Sequence, residues 1–427
     1  MINKALLFLL LFATCMAAEE VSPLIDRNFS PLSGAANILW LQRGMEKIED
    51  SLFLPQQSIG LEGLKDFSLP PCSLEEGLNR QLRNFLFWIP ASLSLSVTQH
   101  EIFGHGYRIR DLGSKYATVE GYKMYMVAGA TSFNVTSNLT ASQMLSIGIA
   151  GLEADAILGC RIRMQWMRTG HLDPRLASLY SISSKTLIGY SLSIDETATS
   201  MPTDGNDIAG YLFFLNMLYP DGHVSYRSLR NFSLINLLDP FFIFSWGSGF
   251  SYEKSGTATS IPTIKIGEVQ YLPALRGVLT PFGLQGIWEN FFLKGGSPAC
   301  AYLKWGKNGP NVYWGFGIES PQVFKWSIAT LGFRFDFWHQ PHVLFKKGAI
   351  SIEEIMELTG KSHVPLYSKE VLNEKQFGVL ASVIGTIGKE SWAAWPYYEL
   401  GYKTAGYLPG EALRQAPIIR LGLSGTF

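Results

Sequence analysis

Two hydrophobic periodicities divide the chain, one before and one after about residue 240. In residues 75–235 the apolar positions recur at helical spacing, which predicts a mostly helical region. Residues 115–135 alternate and contain glycine, which predicts a β-hairpin within it. Helices are predicted over 34–50, on both sides of a break at Pro90, over 140–170 with Thr140 as the cap, and near 173–193 and 207–218.

Beyond residue 240, large apolar residues alternate with small or polar ones. The stretches "FFIFSWGSGFSY" (241–252), "NVYWGFGIE" (311–319) and "LGFRFDFW" (331–338) place aromatic side chains on one face and Gly, Ser or charged residues on the other. About ten such segments occur, which is enough to close a barrel. A helical segment over 351–360 interrupts them. A soluble β-sandwich is the alternative architecture.

The last segment, "IIRLGLSGTF" (418–427), ends on Phe427 with apolar residues at alternate positions. It resembles the closing strand of bacterial outer-membrane β-barrels. The expected fold class is therefore α+β, with a helical region followed by an antiparallel β-barrel-like region. The expected organisation is a signal peptide over 1–18, an N-terminal segment over 19–80, a mostly helical region with a hairpin over 81–235, and a β region over 240–427 that forms an outer-membrane barrel.

Composition supports a cell-envelope protein. Charged residues make up 16% of the chain and aromatic residues 13%, whereas charged residues are about 25% of ordinary soluble proteins. Lys+Arg and Asp+Glu both number 35, so no basic excess indicates nucleic-acid binding. Lys4, an apolar core over 5–14 and small residues near Ala17 predict a secretory signal peptide, and Cys15 offers a weaker lipid-anchor site. We expect secretion across the inner membrane to the outer membrane or periplasm of a bacterium.

The cysteines are too few for a disulfide framework. After removal of the signal peptide, Cys72, Cys160 and Cys300 remain. This set allows one bridge, and the sequence does not choose the pair.

The motif "HEIFGHG" (100–106) carries the candidate chemistry. It supplies two imidazoles and one carboxylate, and catalytic zinc needs protein ligands, an open position for water and a nearby base. His100 and His105 are five residues apart, which places them about 140° apart around a regular α-helix. A local π-turn would bring them onto one face, and Gly104 would let the backbone adopt it. Alternatively, Glu101 and His105 are the ligands, and His100 is an acid or base.

A third ligand is predicted on the helix over 140–170. Glu153 in "GLEAD" is a carboxylate among apolar residues, which is costly unless the carboxylate is paired, protonated or bound to metal. A salt bridge from Glu153 to a helix arginine is the alternative. Asp155 and Arg108 are predicted to support the ligands by hydrogen bonds or by pairing with each other.

"HEIFGHG…GLEAD" resembles the zincin metallopeptidases that use two histidines and a downstream glutamate. The resemblance implies Zn²⁺ on His100, His105 and Glu153, with Glu101 as the general base. The predicted function is therefore a cell-envelope zinc hydrolase, in particular a peptidase acting on peptides or proteins. The alternatives are a non-catalytic outer-membrane β-barrel protein with a helical plug and a soluble periplasmic binding module.

Overall fold

The protein, described by a computed structural model over residues 23–53, 74–136, 139–194, 206–256, 258–343, 374–388 and 394–424, combines many helices with one large antiparallel sheet. The α+β prediction is confirmed at this level. The predicted signal peptide over 1–18, the helix predicted over 351–360, Cys72 and Phe427 lie outside the described residues.

The helices occupy most of the first 255 residues. The α-helices are α1 (Pro31–Phe53), α2 (Leu74–Arg83), α3 (Ile89–Thr98), α4 (Gly106–Leu112), α5 (Ala141–Gly148), α6 (Ala150–Thr169), α7 (Pro174–Ser193), α8 (Asp207–Leu218), α9 (Tyr226–Ser233) and α10 (Pro240–Ser255). π-Helical segments occupy Asn84–Trp88 and Gln99–His105, and 3₁₀ segments occupy Pro220–Gly222 and Leu234–Leu238. None of the helices in the described ranges is both long and apolar enough to cross a bilayer.

Local signals account for several helix boundaries. Thr140 forms a capping box with Gln143 at the start of α5. Asp173 caps α7, which has proline at its start, and Asn206 caps α8 by accepting from the amides of Ile208 and Ala209. The predicted helices near 173–193 and 207–218 are confirmed, whereas the helix predicted over 140–170 is divided at Ile149.

The strands lie mainly in the second half of the chain. They are β1 (Leu24–Asp26), β2 (Ala117–Met124), β3 (Gly129–Val135), β4 (His171–Leu172), β5 (Thr259–Ser260), β6 (Ile264–Ile266), β7 (Val269–Thr280), β8 (Gly283–Lys294), β9 (Ser297–Asn308), β10 (Asn311–Trp326), β11 (Ala329–Pro341), β12 (Lys375–Ile387), β13 (Trp395–Lys403) and β14 (Ala416–Ser424). β2 and β3 form the predicted hairpin.

The large sheet is an antiparallel meander in the order β1-β14-β13-β12-β11-β10-β9-β8-β7-β6. β1 pairs only with β14, and β6 pairs only with β7, so the strand order is open across the described residues. Closure as a barrel is therefore not observed in these ranges. The N-terminal strand β1 extends the sheet beyond the C-terminal strand, in register from Leu24 opposite Gly422 to Asp26 opposite Arg420.

The strand predicted over 241–252 is wrong, because this segment forms α10. Asp239 accepts a hydrogen bond from the Phe241 amide, and Pro240 opens the first turn. Phe242, Trp246 and Phe250 are four apart, so the same residues that alternate along a strand also follow one face of a helix.

The large sheet buries charged side chains on one face and exposes large apolar side chains on the other, the reverse of the usual pattern in soluble proteins. Charged side chains on the inner face are buried, and Arg420 pairs there with Glu399 at 2.8 Å and with Glu411 at 2.8 Å. The outer face exposes large apolar side chains. These include Leu303, Trp305, Val312, Trp314, Phe316, Ile318, Phe333, Val379, Val383, Leu400, Tyr402, Ile419, Leu421 and Leu423.

Helix α6 connects this sheet to the candidate site. Its middle packs on β7, β8 and β9, where Arg163 donates to Glu289 at 2.6 Å. Its first turns pack on the π-helix Gln99–His105. A buried cluster containing Leu158, Ile162 and Phe291 joins α6 to the sheet.

Candidate metal centre

The segment that carries the histidines is a seven-residue π-helix, Gln99–His105. The Gly106 amide donates to the Glu101 carbonyl, which is the five-residue step that defines this helix type. The predicted π-turn is confirmed. It brings His100 and His105 onto one side of the helix, with their rings 4.9 Å apart.

Side chains from other elements stabilise the widened turn. Arg110 donates from Nη2 to the Ile102 carbonyl at 2.7 Å, and Thr131 on β3 donates to the Glu101 carbonyl at 3.1 Å. Gln99, the first residue of the π-helix, fixes it to α1 and α6 by donating from its side-chain amide to the carbonyls of Pro31 and Ala154, both at 2.9 Å.

Two glycines let the π-helix and α6 approach closely. A Cβ on Gly104 would lie 2.7 Å from the Ala150 carbonyl oxygen. A Cβ on Gly151 would lie 2.2 Å from Nε2 of His100. The imidazole of His100 therefore occupies the space above Gly151 that any other residue would fill.

Three ligand-type atoms converge beside this contact. Nε2 of His100 and Nε2 of His105 are 3.2 Å apart, and they lie 3.0 and 3.1 Å from Oδ2 of Asp207, the first residue of α8. A triangle with these sides has a circumradius of about 1.8 Å, so His100, His105 and Asp207 could together hold one metal ion at the usual distance of about 2.0–2.2 Å from each atom.

The second nitrogen of each imidazole has its own acceptor. Nδ1 of His100 lies 2.8 Å from Oδ2 of Asp155, and Nδ1 of His105 lies 2.8 Å from the carbonyl oxygen of Ile147. Both acceptors call for a proton on Nδ1, so in the neutral rings both Nε2 atoms present lone pairs to Asp207. Three acceptors 3.0–3.2 Å apart repel one another unless a cation or protons lie between them.

The pKa values show how strongly the site attracts positive charge. Burial acts to lower the pKa of His100, but the carboxylates of Asp155 and Asp207 outweigh it and raise that pKa well above the ordinary value. The pKa of His105 is also raised, because Asp207 outweighs burial and the neighbouring His100. Burial acts to raise the pKa of Asp207, but the two imidazoles prevail and lower it.

Glu101 lies beside the cluster and does not belong to the three-atom group. Its Oε2 accepts from the Thr131 hydroxyl at 2.7 Å, and its Cγ lies next to Gly129 of the hairpin. Its charge also reaches the site, because it contributes to the raised pKa of His105. A base for a metal-bound water needs this kind of position, adjacent to the metal but not ligating it.

Glu153, the third ligand expected from sequence, is placed elsewhere. Its Oε1 and Oε2 accept from Nη2 of Arg108 at 2.8 and 3.1 Å, and Oε2 also accepts from the Tyr407 hydroxyl at 3.1 Å. The Gly410 amide donates to Oε1 as well. Residues two apart on an α-helix point about 200° apart. Asp155 therefore faces His100, while Glu153 faces Arg108.

The structure thus brings together His100 and His105, with Asp155 as the hydrogen-bond partner expected to support them. It pairs Arg108 with Glu153 instead of with the histidines, which is the alternative that the sequence left open. Asp207 was missed, because the sequence pattern placed it only at the start of the helix predicted near 207–218. Its acidic side chain at the first position of an apolar helix was the signal available.

Tyr190 on α7 was also missed. Its hydroxyl lies 3.4 Å from Nε2 of His100, and its ring stacks on that imidazole at 5.8 Å between centroids. Burial, followed by the nearby Asp207 and Asp155, raises its pKa, so the hydroxyl keeps its proton as a donor.

No protein-family model, curated protein or solved structure matches this chain.

Proposed function

We propose that this protein is a zinc-dependent hydrolase of the cell envelope, acting as a peptidase, with the metal held by His100, His105 and Asp207. The observation that carries the proposal is the triangle of Nε2, Nε2 and Oδ2 atoms with sides of 3.0–3.2 Å, in which both imidazoles are buried. Both imidazoles donate from Nδ1 to protein acceptors, which is the usual support for histidines that bind metal. Three protein ligands and one open position are typical of catalytic zinc.

The surrounding groups suit hydrolysis. A water at the open position would have its pKa lowered to about 7. Glu101 would take the proton from that water, the resulting hydroxide would add to the carbonyl carbon, and Glu101 would return the proton to the leaving amine. Tyr190 would donate a hydrogen bond to the oxygen that becomes negatively charged.

The hairpin beside Glu101 supports a peptide as the substrate. Gly129 and Thr131 of β3 contact Glu101 directly. In the described part of the chain β3 pairs only with β2, which leaves its other edge unpaired. An extended peptide can add to such an edge through main-chain hydrogen bonds.

Metal analysis and one substitution test the proposal. Purified protein should contain zinc and cleave quenched fluorogenic peptides. Glu101→Gln should abolish cleavage and leave zinc bound, because the residue acts on the water and not on the metal. Two histidines and one carboxylate also suit ferrous iron. Protein that binds iron in place of zinc and cleaves no peptide would refute the hydrolase, as would protein that binds no metal.

We also propose that the outer face of the sheet lies in the lipid of the outer membrane. Along β10 the side chains of Trp314 and Phe316 are 42% and 39% exposed, and the intervening residues are buried. Buried charges such as Arg334 and Asp336 lie on the inner face. Apolar residues outside and polar residues inside are typical of outer-membrane sheets. β8 to β12 have 12 to 16 residues, whereas a tilted strand needs about 9–11 to span the bilayer.

A charge on the outer face tests this placement. Phe316→Arg should reduce the amount of folded protein in the membrane fraction, because arginine near the middle of the bilayer costs about 2–4 kcal/mol on such a face. In water, arginine at this position would lose only the ring contact with Phe337 and would carry no cost of burying a charge in lipid. Wild-type protein that stays soluble without detergent, with Phe316→Arg unchanged, would overturn the proposal. A membrane-inserted protein without metal would instead favour the non-catalytic barrel protein with a helical plug.

A further inference from the structure

Two cysteines meet where the helical part joins the sheet. Cys160 lies on α6 and Cys300 on β9, two elements that pack on each other. Both line the same internal cavity of about 140 Å³. Arg161, which follows Cys160 in the chain, pairs with Glu319 of β10, and Glu319 lies directly opposite Cys300 in the sheet, so the two cysteines lie in the same part of the junction. A disulfide between them requires an S–S distance of about 2.05 Å and Cα atoms about 4.4–6.8 Å apart.

The two thiols differ in reactivity. Interaction with the neighbouring Cys300 thiol outweighs burial and lowers the pKa of Cys160 to about 7. The same interaction, together with burial, raises the pKa of Cys300 well above its ordinary value. Cys160 is therefore the thiolate that would attack first, and Cys300 keeps its proton until a second step.

We propose that Cys160 and Cys300 form a disulfide in the exported protein and link α6 covalently to β9. The signal peptide predicted from sequence would deliver the chain to an oxidising compartment, where disulfides persist. This pair is one of the three pairs that the sequence leaves open among Cys72, Cys160 and Cys300.

The reaction needs a disulfide oxidant, such as an envelope thiol–disulfide oxidoreductase acting as the chain folds. The Cys160 thiolate attacks one sulfur of the oxidant's disulfide, forms a mixed disulfide and releases the other sulfur as a thiolate. Cys300 then loses its proton and attacks the Cys160 sulfur, which releases the second oxidant thiol. Two protons and two electrons pass to the oxidant, which is reduced to its dithiol.

The bond would fix the helix that supports the metal centre. α6 carries Asp155, which accepts from His100, and Gly151, which lies under the His100 ring. A covalent link at Cys160 would hold this helix on the sheet during local opening. The proposal does not depend on the presence of the metal.

Mass spectrometry of the full-length protein, exported and purified in detergent, tests the bond. After blocking of free thiols under denaturing conditions, digestion without reduction should give a cross-linked peptide pair containing Cys160 and Cys300. Protein made in the reducing cytosol should lack this pair. A cross-link from Cys72 to either residue, or full labelling of both thiols before reduction, would overturn the proposal.

Matched serine variants sharpen the result. Cys160→Ser and Cys300→Ser should each free one additional thiol for labelling, whereas Cys72→Ser should leave the cross-linked peptide intact. Reduction should lower the unfolding temperature of the wild type and of Cys72→Ser, and not that of the other two variants. If a serine variant fails to fold, the wild-type peptide map alone decides the pairing.

Discussion

Gly151 offers the sharpest test of the metal centre, because its missing side chain makes room for a ligand. A Cβ built there lies 2.2 Å from Nε2 of His100 and 2.4 Å from Cδ2 and Cε1. Ordinary contact begins at about 3.4 Å, so the ring would have to move by about 1.2 Å, the difference between 3.4 and 2.2 Å. A metal–ligand bond tolerates about 0.2 Å.

We therefore expect Gly151→Ala to displace His100 from the metal while the protein stays folded. Loss of a mere hydrogen-bond partner of a ligand costs about 10–100-fold in metal affinity. Displacing the ligand itself should weaken zinc binding by more than about 100-fold and abolish peptide cleavage. Alanine has a better helix propensity than glycine, so α6 itself should not be destabilised.

The measurement is zinc competition against a fluorescent chelator, with thermal unfolding followed by circular dichroism. Gly159→Ala is the matched control on the same helix, since a Cβ there meets its nearest atoms at 3.6–3.9 Å, which is ordinary contact. Gly159→Ala should bind zinc as the wild type does. If folded Gly151→Ala binds zinc with the wild-type Kd, His100 is not a ligand in the arrangement described.

Three further predictions separate the roles of neighbouring side chains. Glu153→Gln should lower stability by about 1.5–3 kcal/mol in chemical denaturation and leave zinc bound, because Arg108 loses its ionic hydrogen bonds to Glu153 and keeps its pair with Asp111 at 3.0 Å; Asp207→Asn should remove zinc, and the opposite pattern would make Glu153 the ligand. Tyr190→Phe should keep zinc and lower kcat by about 10²-fold, as for loss of one oxyanion donor; an unchanged kcat would exclude this role. Because Asp155 and Asp207 outweigh burial and raise the pKa of His100, protons should compete with zinc from above the ordinary histidine pKa of about 6.5. Chelator competition across pH should show affinity falling as pH falls, and a flat profile down to pH 6 would contradict this.

The sequence carried enough information to predict the irregular helix but not the complete candidate metal cluster. The five-residue spacing of His100 and His105, with Gly104 between them, has few geometric solutions, and the π-turn is the one observed. Asp207 is 107 residues beyond His100 in the chain and depends on how α8 packs. Local periodicity contains no information about such a contact.

The β region shows the same limit of local patterns. Alternation predicted the two faces of β10 and β11 correctly, because every second residue of a strand lies on the same face. In 241–252 the aromatic residues fit a period of two and a spacing of four equally well. The residues that favour the helix lie just before the alternating stretch: Asp239 caps α10, and Pro240 is its first residue.

The π-turn in "HEIFGH" aligns the side chains before it and the side chains after it with their partners on α6. Upstream, His100 must face Asp155. Downstream, Arg108 must face Glu153, where it is fully buried. Both acids lie on α6, and if the same residues formed an uninterrupted α-helix, everything after the turn would be rotated by about 100° relative to His100. Arg108 would then turn away from Glu153, and a buried ion pair would be broken. The π-helix thus places His105 beside His100 and, in the same turn, sets the direction of the helix that follows, so the candidate metal cluster and the attachment of α4 to α6 depend on the same irregular turn.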